Sequence, residues 1–194
     1  MKKTHSNKGL FVHLSLAAIV SYLFLMDLIE IKTLSPEDFE EIVVAFGKLG
    51  WNKPKSQYEA YYAEQTAGVR SVLIARLKGE LAGYVTIKWI ADYTLFLTNY
   101  LPEIQDLNVL PQFRKNGLGE RLMRECEAAA KQRGMGEIGL GVGLLADYGS
   151  AQRLYLKLGY IPDGRGLHYK RQPVGYRQSV VADDDLVLYL SKRI

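Results

Sequence analysis

The chain has 194 residues and a mass of 21.9 kDa, enough for one domain with at most a short appendage. Hydrophobic residues make up 48% and charged residues 24%, which excludes disorder, collagen and coiled coil for the chain as a whole. The one cysteine, Cys126, excludes a disulfide framework and any multi-cysteine metal centre, and His5, His13 and His168 are too few and too scattered for a histidine site. The net charge of +4 resides mostly in Lys2, Lys3 and Lys8: beyond residue 25, 22 basic side chains face 21 acidic ones, which gives no ground for a nucleic-acid partner.

Leu10 to Met26 is an apolar run of 17 residues, interrupted by His13, Ser15 and Ser21 and preceded by lysines. Three readings of residues 1–26 stay open. A signal peptide needs a small-residue cleavage site, which the bulky Tyr22–Asp27 stretch lacks. A membrane anchor needs about 17 apolar residues at the least. The third is an extension outside the functional domain, which then spans residues 27–194. Cytoplasmic and membrane-anchored locations follow from different members of this set.

Leu28–Lys32 alternates as a first strand. Ser35-Pro36-Glu37-Asp38 opens a helix, with Phe39, Ile42, Val43 and Phe46 at helical spacing. A second helix is expected over Ser56–Thr66. Ser71–Leu77 and Ala82–Ile90 read as strands joined by the Lys78-Gly79-Glu80 turn. A strand from Glu103 ends at Pro111, and Gly117–Gln132 is an amphipathic helix with Leu118, Leu122, Met123 and Ala129 inward. Glu137–Val142 is a short strand, Tyr148–Leu158 a helix closed by Gly159, and Tyr160-Ile161 and Leu186–Ser191 the last strands. The order is that of one mixed α/β sheet rather than a regular doubly wound one.

Arg114-Lys-Asn-Gly117-Leu-Gly119 stands between a strand and a helix. Two glycines there let the backbone turn sharply and present consecutive N–H groups at a helix N-terminus, which suits a phosphate. No Gly-Lys-Ser/Thr follows, and the third glycine of the dinucleotide fingerprint is missing. By itself such a glycine pair is also an ordinary structural turn.

The stretch Val109-Leu-Pro-Gln-Phe-Arg114-Lys-Asn-Gly117-Leu-Gly119 resembles motif A of the GNAT superfamily of N-acetyltransferases, and Ala151-Gln-Arg-Leu154-Tyr155-Leu-Lys-Leu-Gly159-Tyr160 resembles its motif B. The resemblance runs over about residues 27–192. It implies a mixed, mostly antiparallel central α/β sheet splayed in the middle and flanked by about four helices. It implies acetyl-CoA as cosubstrate and direct transfer to a primary amine of a small molecule or protein in a ternary complex. The amides of Lys115, Asn116, Gly117, Leu118, Gly119 and Glu120 would bind the pyrophosphate, with Arg114 beside it. Val109 would pair its backbone with the pantetheine arm. The amide of Leu107 would face the thioester oxygen. Tyr155 takes the position of the acid that protonates the departing thiolate, and a phenol with pKa about 10 is a suitable neutral donor. Glu103, eleven residues before Arg114, takes the position of the base of some members, acting directly or through water. Asp106, on the same strand, would point to the other face if alternation holds.

One departure is Tyr148, where the family often has an asparagine on the cofactor; Asp147 or Ser150 are alternatives for that contact. Cys126, between Glu125 and Glu127, reads as a bystander thiol rather than a nucleophile. The acceptor pocket is expected among the first two helices, the end of the Tyr84–Ile90 strand and the last loop. Trp51, Tyr58, Tyr61, Tyr62, Trp89, Tyr93 and Tyr100 are its candidate walls. Gly164–Ala182 reads as a long basic segment with no acid: first a solvated basic hairpin, alternatively a surface for an acidic acceptor or for the cofactor's phosphates, with Asp183-Asp-Asp185 placed to pair with it. No acceptor is named by these residues, and a homodimer stays open. A catalytically silent acyl-CoA sensor and a membrane-tethered interaction module are the competing functions.

Overall fold

The structure is a computed structural model and describes residues 28–194; the apolar stretch within residues 1–26 lies outside the described residues. Among the described residues no helix is long and apolar enough to cross a membrane. The elements are β1 (Ile29–Thr33), α1 (Phe39–Gly47), α2 (Lys55–Thr66), β2 (Arg70–Leu77), β3 (Glu80–Lys88), α3 (Thr94–Thr98), β4 (Glu103–Val109), α4 (Leu118–Gln132), β5 (Glu137–Gly143), α5 (Gly149–Lys157), β6 (Ile161–Tyr169), β7 (Gln172–Pro173) and β8 (Leu186–Arg193). The strands form one sheet in the order β1-β2-β3-β4-β5-β8-β6-β7. Among the described residues only the β4–β5 pair is parallel.

Local chemistry explains most of these elements. Ser35 and Asp38 close a capping box ahead of α1, with Asp38 accepting from the Ser35 amide at 3.0 Å. The β2–β3 hairpin turns through Lys78 (φ 55°) and Gly79 (φ 82°), the left-handed pair a two-residue loop requires. α4 buries Leu118, Leu122, Met123, Cys126 and Ala130 against one face of the sheet, where they join Val85, Ile87, Ile104, Leu140 and Tyr155. Ala130 takes the inward place expected of Ala129, which is only partly buried. The other face carries a second cluster of Phe39, Ile42, Phe46, Tyr58, Ile74 and Tyr84, under α1 and α2.

Two elements extend the expected set, and one expected pairing is corrected. A fifth helix, α3, lies between β3 and β4 and buries Phe96 beside Tyr93 and Tyr189. Within Gly164–Ala182 the expected basic hairpin forms, and its first strand is longer than the predicted Tyr160-Ile161: β6 continues to Tyr169 and turns through Lys170 (φ 50°) and Arg171 (φ 64°) into β7. Asp183 and Asp184 accept hydrogen bonds from Tyr169 and Tyr148 at 3.1 and 3.0 Å, and not from the basic residues of that hairpin.

Candidate active site

The sheet opens at its centre. β4 and β5 pair at Glu103–Gly139 and Ile104–Leu140 and no further, so the rest of β4 has no neighbour on that side. On its other side β4 carries an irregularity against β3: Tyr84 opposes Asn108, but Thr86 opposes Gln105. The extra residue is accommodated by Asp106 in the left-handed region, φ 52°. The strands are pressed together there, since a Cβ on Gly83 would lie 2.2 Å from the carbonyl oxygen of Asn108. Leu110 donates its N–H to Ala82 at 2.9 Å, which makes Gly83–Val109 a non-hydrogen-bonded pair. The peptide groups of Val109 therefore point away from β3, into the gap. Arg114 Nε already donates to the Val109 carbonyl at 3.0 Å, so the arginine supports the strand end as well as flanking the loop.

Beyond β4 a single 3-10 turn, Pro111–Phe113, leads to the glycine segment. Lys115 (φ 65°) and Gly117 (φ 78°) are left-handed, and Gly117 is the cap of α4. The first intrahelical bond is Arg121 N–H to Gly117 at 2.9 Å. Among the described residues, the six amides from Lys115 to Glu120 donate to no protein acceptor. They form a run of donors at the positive end of a fifteen-residue helix. Gly119 allows α5 to pack closely, as its Cβ would stand 3.2 Å from Leu154 Cδ2. Glu120 would oppose an anion here, but Lys157 Nζ lies 3.1 Å and Arg124 3.6 Å from its carboxylate. The hydrogen bond from Lys157 is the main reason its carboxyl stays below the ordinary range.

The far wall of the gap is α5. Tyr155 is 7% exposed and its hydroxyl enters none of the side-chain hydrogen bonds among the described residues, whereas the fully enclosed hydroxyl without a partner is that of Tyr160. Burial, reinforced by Cys126 and Tyr148, raises the phenol and keeps it protonated at neutral pH. Tyr148 lays its ring over Gly143, where a Cβ would come within 2.5 Å, and donates to Asp184. Burial and that carboxylate push its phenol up to about 12. Cys126 is fully buried and its thiol is pushed up by desolvation, as a bystander would be.

On the α1–α2 side of the sheet, Glu103 is 5% exposed and accepts the Asp92 N–H at 3.0 Å. Burial raises its carboxyl above the ordinary value. Asp106 was expected on the opposite face; the left-handed residue breaks the alternation and brings it to this one. There its Oδ2 accepts from Tyr61 Oη at 2.6 Å and Gln57 Nε2 at 3.1 Å. Buried Arg70 lies 4.3 Å over the Tyr61 ring and donates to Thr86 at 2.7 Å. Tyr58 and Tyr84 meet edge to face beneath. Two of the expected pocket aromatics are elsewhere. Trp89 packs on the α4 side with Arg133 3.9 Å above its ring, and Tyr100 is 86% exposed. Tyr93 stacks on Tyr189 and lines an open cleft of about 560 Å³ with Leu95, Thr98, Arg165, His168 and Arg171.

This architecture has known counterparts. Residues 30–160 match the acetyltransferase (GNAT) family, and the chain belongs to that family. It is an acyltransferase with acetyl-CoA as its cosubstrate. An N-acetyltransferase from Staphylococcus aureus Mu50 superposes with a TM-score of 0.64 at 16% identity, over 85% of this chain and 98% of that one. The acetyltransferase yncA of Salmonella typhimurium, solved with acetyl-CoA, gives 0.62 at 16% identity over 86% and 94%. The PaiA N-acetyltransferase of Thermoplasma acidophilum, solved with coenzyme A, gives 0.61 at 18% identity over 86% and 99%. No curated protein sequence matches the chain. The residues present fit an acyl-CoA: a run of unengaged amides, an unpaired strand edge and an unpartnered phenol all border one gap.

Proposed function

We propose that the chain is an N-acetyltransferase that moves an acetyl group to a primary amine of a small molecule or protein within a ternary complex. The observation that carries this reading is the six-amide run from Lys115 to Glu120 opening onto the unpaired edge of β4. In this reading the amides of Lys115, Asn116, Gly117, Leu118, Gly119 and Glu120 hold the diphosphate, and Arg114 adds positive charge. The outward peptide of Val109 takes the pantetheine arm, and the Tyr148 ring at the end of β5 closes the site. Acetyl-CoA supplies the thioester-activated acetyl group.

The Leu107 amide stabilises the negative charge that develops on the acetyl oxygen. Tyr155 gives its proton to the departing thiolate. Glu103, whose buried carboxyl holds protons more tightly than usual, takes the acceptor's proton through water. In this reading the enzyme works in the cytoplasm; fractionation of the full chain beside one starting at Met26 checks this.

The test is release of coenzyme A from acetyl-CoA with a panel of primary amines, alongside calorimetry with coenzyme A. Amine-dependent release supports the reading. Tight coenzyme A uptake with no turnover of any amine would instead make the protein an acyl-CoA sensor. Absence of uptake would overturn the donor site itself.

A further inference from the structure

The β4 bulge sets a second carboxylate on the residue next to the proposed oxyanion amide, on the same face as Glu103. Asp106 immediately precedes Leu107, and it is at this pair that β4 has parted from β5. A non-glycine residue in the left-handed region is disfavoured, and aspartate tolerates it better than most. Its side chain is 28% exposed, in contrast to buried Glu103.

The two carboxylate oxygens are treated differently. Both neutral donors, Tyr61 and Gln57, bond Oδ2. Oδ1 faces the ammonium of Lys53 at 3.6 Å, an ion-pair distance too long for a good hydrogen bond. That ammonium also lies 5.8 Å from the centroid of the Tyr84 ring, and the Lys53 side chain as a whole is only 18% exposed. A loosely held carboxylate oxygen and an aromatic face are what an alkylammonium ion seeks. The place is held by a side chain of the loop ahead of α2, on a flexible four-carbon stem that can swing aside.

Building on the acetyltransferase reading above, we propose that Asp106 is the acceptor-binding carboxylate, and that Lys53 occupies its seat until a cationic primary amine displaces it. The acceptor class is therefore an alkylammonium, bound charged at Asp106 beside the Leu107 amide, rather than an aromatic amine that is neutral at pH 7. Lys53 acts as a tethered competitor that weakens binding of such amines.

The experiment measures binding of butylammonium, tyramine and spermidine, with the corresponding alcohols as uncharged controls, to the full chain with and without coenzyme A. Wild type, Asp106→Asn and Lys53→Gln are compared. Asparagine tolerates the left-handed backbone and keeps an oxygen for Tyr61, so Asp106→Asn retains its fold, which circular dichroism verifies. Asp106→Asn should weaken the amines at least ten-fold and leave the alcohols unchanged. Lys53→Gln should tighten the amines several-fold. In turnover, both effects fall on the KM of the amine. Equal amine binding by wild type and Asp106→Asn, or amine binding by none of the three, overturns the proposal. Coenzyme A calorimetry on the same samples judges the donor site separately: normal uptake with an indifferent Asp106→Asn rejects this inference alone.

Discussion

At the scale of single residues, two groups on opposite faces of the sheet carry protons in the proposed reaction, and their surroundings push both the same way. Tyr155 is enclosed, and its phenol is raised by burial, so it stays a neutral donor across the physiological range. Tyr155→Phe removes one oxygen and little packing. It should lower kcat by about 10²–10⁴-fold, the usual contribution of a general acid. Coenzyme A affinity should stay within two-fold by calorimetry, and an unchanged kcat would remove Tyr155 from the chemistry. Glu103 has a raised carboxyl, again through burial, with Asp92 adding repulsion. A base with a raised pKa is ionised only above that pKa, so kcat/KM should fall on acidification at a pH above the ordinary carboxylate range. The same shift bears on stability. The folded state binds the Glu103 proton more tightly than the unfolded chain, so this stabilising contribution is complete below the unfolded value and is lost as pH rises through the folded one. Glu103→Gln should therefore raise Tm at pH 7 while lowering kcat. A lowered Tm would show that the ionised carboxylate is well compensated where it stands.

At the scale of elements, the site depends on the β3–β4 junction. The bulge exists because β3 offers a residue without a side chain at the point of closest approach. Gly83→Ala would set a methyl group 2.2 Å from a backbone oxygen, a contact that only movement of β4 can relieve. Overpacking of this kind costs about 1–3 kcal/mol. The displaced strand carries Asp106, Leu107 and Val109, so both stability and turnover should fall. Denaturant titration and amine KM measure the two, and a neutral outcome would mean that β4 is held elsewhere. This junction also marks the limit of what the sequence discloses. The β2–β3 turn is legible because Lys78-Gly79 spells a left-handed pair, and α4 because its apolar residues recur at helical spacing. The donor loop is legible through its glycines, and Tyr155 through its motif. Asp106 is not, because the alternation of a regular strand assigns it to the wrong face, and only the bulge restores it. α3 escapes because five residues are too few to show a period. β6 is hidden by Gly164 and Gly166, whose left-handed backbone (φ 80° and 76°) reads as a loop. In the fold they lie within a register irregularity between Pro162 and Leu167, and the strand resumes beyond it.

At the scale of the whole molecule, the sheet consists of two antiparallel halves, β1–β4 and β5–β8, joined along a short seam. Two registered residue pairs and the Gly139 N–H to Pro102 bond, at 3.0 Å, make up the backbone contact between them. Apolar packing bridges the halves on the α4 face, through Ile104, Leu140, Met123 and Tyr155. A ligand whose diphosphate sits on α4 and whose arm runs along β4 toward α5 touches both halves, whereas the unfolded chain offers it no such surface. Binding at 100 times Kd then adds about 2.7 kcal/mol of stability. In a chain of this size each kcal/mol moves Tm by roughly 2–4 °C. Saturating coenzyme A should thus raise Tm by about 5–11 °C, and amide exchange should slow in β4 and β5 on both sides of the seam. Gly117→Val supplies the control, since a β-branched side chain at φ 78° is strained and turns the loop amides away. That variant should lose most of the ligand-induced shift and only a small part of its own Tm. Equal shifts in wild type and Gly117→Val would place the stabilising contact away from the six amides and detach the donor site from the seam.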